Sequence, residues 1–156
     1  MPTVTVRLAE PADAAALATA NIRSIREVCG HDYPDPAHLD KWCANKTAEN
    51  FTTWIQDPAQ RVFAGLVDGV VAGVGTMSVA KGFVHILYLV PEALGTGLGK
   101  ALLARMEAEA RAHGFATLGL ESTITARGFY LKQGYRELGE TEVRGWPAYR
   151  MEKALG

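Results

Sequence analysis

The chain changes hydrophobic periodicity several times, and the order of the changes lays out its elements. Thr3-Val4-Thr5-Val6-Arg7-Leu8 repeats every second residue and predicts a first strand; Glu10-Pro11-Ala12-Asp13 ends it, with Asp13 placed to cap a helix. Ala14, Leu17, Ala18, Ile22, Ile25 and Val28 then recur at helical spacing as far as Cys29, and Gly30 stops the run. The polar positions Asn21, Arg23, Arg26 and Glu27 are assigned to the solvated face. After the turn-rich His31-Asp32-Tyr33-Pro34-Asp35-Pro36, Ala37 to Asn45 and Ala48 to Ile55 read as two short helices carrying Trp42, Phe51 and Trp54. Arg61 to Val67 and Val70 to Ala80 form a hairpin, because Asp68-Gly69 suits the left-handed turn that twisted strands require. Phe83 to Leu89 is a fourth strand, so nearly all apolar that it is expected to be covered on both faces.

That strand runs on to Pro91, a turn follows, and Gly95, Gly97 and Gly99 lead into a periodic segment with Leu98, Leu102, Met106 and Ala110 on one stripe. Arg111-Ala112-His113-Gly114 closes this helix, and Ala116 to Ser122 is a fifth strand. A right-handed strand-helix-strand crossover makes strands four and five parallel. A short helix follows within Ser122 to Tyr135, and Tyr135 to Val143 and Trp146 to Lys153 are a last pair of strands, turning at Arg144-Gly145 and expected beside the fifth. The expected architecture is α/β: one domain over residues 1–156, with about four helices on a mixed, mostly antiparallel sheet of about seven strands.

Composition narrows the partners. A chain of 156 residues can bury a sizeable core, and a formal net charge of -1 offers no basic stripe for nucleic acid. No run approaches the roughly 18 apolar residues of a membrane span, and the N-terminal stretch lacks the apolar centre of a signal peptide. Cys29 and Cys43 have neither metal-ligand spacing nor a disulfide framework, which suits a reducing cytoplasm and a role as small buried hydrophobes. Neither His31 nor His38 has a spacing that suggests a metal.

The glycine loop carries the first chemical signal. Unpaired N–H groups at a helix start attract anions, and glycines let the backbone come close to one. A mononucleotide-type loop fails at Leu94 and at Ala101, which has no hydroxyl for magnesium; a dinucleotide fingerprint fails at Lys100 or at Leu102, depending on its start. What fits is the Q/R-x-x-G-x-G/A loop, laid over Leu94-Gly95-Thr96-Gly97-Leu98-Gly99 with Leu94 replacing the usual Arg or Gln. A second motif, N-x-x-A-x-x-F-Y-x-K-x-G-F/Y, matches at Ala126, Phe129, Tyr130, Lys132, Gly134 and Tyr135, with Thr123 in place of Asn. Together the two stretches resemble the GCN5-related N-acetyltransferase (GNAT) superfamily, small single-domain members in particular.

The resemblance implies acetyl-CoA as co-substrate. The residues it places around the coenzyme are Leu89, Val90 and the run from Leu94 through Gly95, Thr96, Gly97, Leu98 and Gly99 to Lys100, with Thr123 and Lys132 from the second motif. It makes Tyr130 the group that meets the coenzyme sulfur and returns a proton to the leaving thiolate. It also makes the segment between strands one and two a wall of the acceptor site, so that Trp42 and Trp54 either line that site or belong to the core. Asp32, Asp35 and Asp40 would then stand near the entry, an arrangement suited to a cationic amine.

An acceptor amine, protonated at neutral pH, must lose a proton before it can attack a thioester. His85, expected on the strand face of Leu87 and Leu89, Glu121 at the end of strand five, and a water chain are the candidate bases. The resemblance assigns the developing oxyanion to a backbone N–H at or near Leu89. Direct attack needs no acyl-enzyme, so the expected activity is acetyl transfer to a small-molecule or peptide amine by a cytoplasmic monomer or homodimer. A non-catalytic coenzyme A-binding module of the same fold is the alternative.

Overall fold

The computed structural model describes residues 2–156. Its strands are β1 (Val4–Leu8), β2 (Gln60–Val67), β3 (Val70–Ser78), β4 (Phe83–Leu89), β5 (Thr117–Ser122), β6 (Arg136–Val143) and β7 (Trp146–Ala154). They form one sheet in the order β1-β2-β3-β4-β5-β7-β6, in which only β4 and β5 pair in parallel. The helices are α1 (Ala14–Glu27), α2 (Pro36–Cys43), α3 (Ala48–Gln56), α4 (Leu98–Ala112) and α5 (Arg127–Lys132). No described helix is long and apolar enough to cross a membrane.

The two sheet faces carry different helices. On one, α4 lays Leu98, Leu102 and Met106, all fully buried, on a floor made by Gly65 of β2 and Gly73 and Gly75 of β3. A Cβ on any of these glycines would meet those side chains at 3.0–3.2 Å, so the sequence keeps them bare to let the helix sit close. Each large side chain buried there contributes about 1.5–3 kcal/mol. On the other face, α1 and α3 pack Leu17, Ala18 and Phe51 against Val62, Val74 and Ile86. The hairpin turn has Asp68 at φ 50° and Gly69 at φ 82°, as the Asp-Gly pair predicts.

Two local expectations are corrected, and a third holds with one exception. Asp13 does not cap α1: its carboxylate accepts from Arg7 at 2.7 and 2.9 Å and from the Glu10 N–H at 2.8 Å, and the guanidinium holds it below its usual range. Asn21 is not solvated. It is fully buried, and neither side-chain polar atom has a partner among the described residues, because it continues the Leu17–Ala18 stripe toward Ser24 and Ile25. β4 is covered on both faces, by α4 over Val84, Leu87 and Leu89 and by α1 over Ile86 and Tyr88, with one exception. Thr76 pairs with Ile86 and Met77 with Val84, so His85 is the extra residue of a bulge, and it is exposed.

Candidate active site

β4 and β5 are paired only at Phe83–Gly119 and Val84–Leu120. Beyond Leu120 β5 continues to pair with β7, whereas β4 stays with β3, so the sheet opens between its two parallel strands. His85 and Glu121 are the next residues on the two edges. The opening leaves donors free. The Val90 N–H bonds the Ala72 carbonyl at 2.9 Å, so in an antiparallel ladder the alternate amides of Leu87 and Leu89 point away from β3, into the gap. Strand order and crossover direction thus place two unused backbone donors where ligands of α/β sheets gather.

One cleft, of about 340 Å³, lies on the α4 side of the opening. Its floor is Leu87 and Leu89, and its sides are the glycine loop, Phe129 and Tyr130 of α5, and Ser24, Val28 and Cys29 at the end of α1. Gly95 and Gly97 stand at φ 79° and 89°, in the left-handed region that favours glycine. Among the described residues nothing accepts from the amides of Gly95, Gly97, Gly99 and Lys100. The loop is braced from outside: Arg23 of α1 grips Glu92 just before it at 2.6 and 2.9 Å while also holding Glu27.

A second cleft, of about 400 Å³, lies across the sheet and is walled by Tyr33, Trp42, Trp54, Tyr88 and Trp146. Its polar lining is His38, Asn45, Lys46, His85, Glu121 and Arg144, among others. Tyr33 staples this wall together, donating to the Pro147 carbonyl at 2.7 Å and accepting from the Ile124 N–H at 3.0 Å. A small hollow bordered by His85, Leu87, Glu121, Ala126 and Tyr130 joins the two clefts, and Tyr88 and Thr123 border all three.

The residues singled out in the sequence divide accordingly. Tyr130 is 5 % exposed, its hydroxyl makes no hydrogen bond to a described residue, and it lies where the first cleft meets the connecting hollow; burial raises its phenol above the ordinary value. Thr123 is at the junction, its Oγ1 accepting from the Ala126 N–H at 3.1 Å and its hydroxyl proton still available. Leu94 is exposed along the first cleft.

Four of the expected coenzyme contacts are placed differently. The Val90 amide is taken by Ala72; Thr96 donates its N–H and hydroxyl to Ala93 and caps the Leu98 N–H. The Leu98 side chain is core, and Lys132 is exposed and borders neither cleft.

His85 is not on the face of Leu87 and Leu89. Those side chains pack with Val84 toward α4, while the bulge turns His85 to the aromatic cleft beside Ile86 and Tyr88. Although its outer edge is exposed, the cleft walls partly shield the ring from water, and this shielding, with the Lys81 charge, lowers its imidazole pKa and favours the neutral form at pH 7.

The acidic entry is also corrected. Asp32 accepts from Thr125, Asp35 caps the Ala37 N–H of α2, and Asp40 pairs with Arg26; none borders the aromatic cleft. Trp42 and Trp54 line that cleft, and His38 stacks on Trp146 with ring centroids 4.2 Å apart. Tyr88, Lys46 and Arg144 were not singled out by sequence reasoning. Tyr88 looks like one more apolar strand residue, and Lys46 and Arg144 sit in stretches whose composition suggests only a link and a turn.

The sequence profile of the acetyltransferase (GNAT) domain matches residues 29–155. A GCN5-related N-acetyltransferase structure from Rhodopseudomonas palustris superposes with a TM-score of 0.84 at 24% identity, covering 99% of this chain and 97% of that one. The PaiA N-acetyltransferase of Thermoplasma acidophilum, solved with coenzyme A, gives 0.85 at 18% identity over 97% and 99%. A GNAT-family acetyltransferase from Streptococcus pneumoniae gives 0.75 at 22% over 99% and 100%. No curated protein matches. A glycine loop with unpaired amides, a sheet opened between two parallel strands and a profile match over most of the sequence agree: the chain belongs to the GNAT acetyltransferase family.

Proposed function

We propose that this protein moves an acetyl group from acetyl-CoA to a primary amine by direct attack. The observation that carries the reading is the opening between β4 and β5, through which a cleft edged by unpaired amides reaches an aromatic one past Tyr88 and Thr123. The amides of Gly95, Gly97, Gly99 and Lys100 suit the diphosphate of the coenzyme, at the start of a fifteen-residue helix whose dipole also favours negative charge. The coenzyme-bound PaiA structure shares this fold, which supports the same placement.

The chain's residues then divide the labour. His85 takes a proton from the amine, whose nitrogen forms the new bond to the acetyl carbon as the carbon–sulfur bond breaks; Glu121 and a water chain are the other bases within the opening. The Leu87 and Leu89 amides face the carbonyl oxygen as it gains charge. Tyr130 donates a hydrogen bond to the departing sulfur. Full proton transfer from a phenol above 10 to a thiolate whose acid lies near 8.5 runs uphill, so the proton reaches sulfur only as the thiolate leaves for water. Cys29 borders the coenzyme cleft, but burial pushes its thiol up to about 12; it stays protonated and is no acyl-carrying nucleophile.

The test is thiol release from acetyl-CoA across a panel of amines, repeated with Tyr130→Phe. Turnover falls about 100-fold or more in the variant while coenzyme binding is kept. Binding without thiol release for any amine would instead identify a coenzyme A-binding module.

A further inference from the structure

Resting on that reading, we propose that the acceptor is an amine that also carries an anionic group, carboxylate or phosphate, which Lys46 and Arg144 hold at the aromatic cleft. Lys46 is 6 % exposed, the only buried lysine or arginine among the described residues. Its Nζ has one partner, the neutral Asn45 Oδ1 at 2.7 Å. The ion pairs Arg7–Asp13, Arg23–Glu92, Arg26–Asp40, Arg61–Glu109, Arg127–Glu137, Arg136–Glu152 and Lys153–Glu107 satisfy cations elsewhere. No described carboxylate pairs with Lys46 or Arg144. A buried cation without a counter-ion is costly, and the cleft both residues line is where a counter-ion can enter.

Arg144 adds a second cation and an independent sign. It stands at φ 54°, a conformation in which the β6–β7 turn would accept Asn or Asp more readily than a long cationic side chain. A residue kept against its backbone preference, at the rim of a cleft, points to a use for its side chain. Its charge acts on the same spot, since burial first and then Arg144 pull the Lys46 amine down to about 8. Glu121, the carboxylate bordering this cleft, is placed beside His85 at the sheet opening, where an amine must arrive. The amine end thus meets the opening, the anion meets Lys46 and Arg144, and the indole and phenol walls between them suit an apolar body.

The experiment measures kcat/KM by thiol release for phenylalanine against phenethylamine, 4-aminobutyrate against propylamine, and O-phosphoethanolamine against ethanolamine. At least one anionic member exceeds its neutral twin by about tenfold or more, and which pair does so separates carboxylate from phosphate. Lys46→Met and Arg144→Asn each collapse that ratio, chiefly through KM, while Lys46→Arg keeps it. A ratio below tenfold in every pair, or one unmoved by both charge-removing variants, overturns the proposal. Should no amine release thiol, the transfer reading fails and the anion site is judged separately, by thermal shift. N-acetylphenylalanine then stabilises the wild type and not Lys46→Met, and absence of any shift in the wild type overturns the anion site as well.

Discussion

His85 and Glu121 face each other's strands at the point where the parallel pairing stops, each one residue past the last bonded couple, Val84 and Leu120. The bulge in β4 makes this possible. It rotates His85 out of the strand's alternation and into the aromatic cleft, which Glu121 also borders.

A base in that position has a defined pH signature. Partial shielding from water and Lys81 lower the His85 pKa, which favours the neutral imidazole at pH 7; Glu121, Lys46, Arg144 and His38 are the other ionisable groups bordering the cleft. A depressed pKa means that kcat/KM is level near neutrality and falls only as pH drops below the ordinary imidazole range. His85→Gln lowers kcat/KM about 100-fold and removes that acidic limb. A pH–rate profile with the limb intact in the variant assigns the proton to Glu121 or to water.

Much of this was legible in the sequence, and what escaped has a physical reason. The strands, the crossover helix and the loop from Gly95 to Lys100 are written in short-range periodicity and glycine placement, which act within a few residues. The bulge at His85 depends on how β3 and β4 align, and so on contacts between residues distant in sequence, which no local pattern records. The same holds for the aromatic cleft. His38 of α2, Tyr88 of β4 and Trp146 of β7 meet only once the sheet has formed, and Asp32, Asp35 and Asp40 were drawn off to Thr125, an α2 amide and Arg26.

The glycine loop predicts a separation of strain from binding. Gly97 stands at φ 89° with nothing within 4 Å of the point a Cβ would occupy, so Gly97→Ala costs about 1–2 kcal/mol through its left-handed backbone alone. Gly69, at φ 82° and equally open, lies in the β2–β3 turn away from both clefts. Gly69→Ala and Gly97→Ala therefore lose similar stability by thermal melting. Only Gly97→Ala weakens coenzyme A binding, by about tenfold or more in calorimetry; equal losses of affinity would take the diphosphate away from this loop.

Asn21 offers a test of the α1 interior. A buried amide with both polar atoms unpaired costs about 1–3 kcal/mol relative to a satisfied one, and leucine has the same side-chain branching without the polar atoms. Asn21→Leu raises Tm by about 2–4 °C for each kcal/mol recovered. A lowered Tm would show that the amide has a polar partner at work in solution.

Lys46→Met makes the sharpest stability prediction, because its size changes with both ligand and pH. The folded-state pKa of Lys46, about 8, lies below the ordinary 10.5, so the charged form is penalised on folding. Below pH 8 the amine is protonated in both states and the penalty is complete, about 3 kcal/mol. Between pH 8 and 10.5 the unfolded chain binds the extra proton, so wild-type stability gains on that of the variant as pH rises. Arg144, His38, Cys43, His85 and Glu121 are the groups near enough to shade the value. In denaturant titrations Lys46→Met is therefore more stable than the wild type at pH 7, and the gap closes toward pH 10. An anionic acceptor narrows the gap at pH 7 by binding the wild type alone. A gap that stayed constant across this pH range would mean that the amine reaches water, and with it the reason for a counter-ion would go.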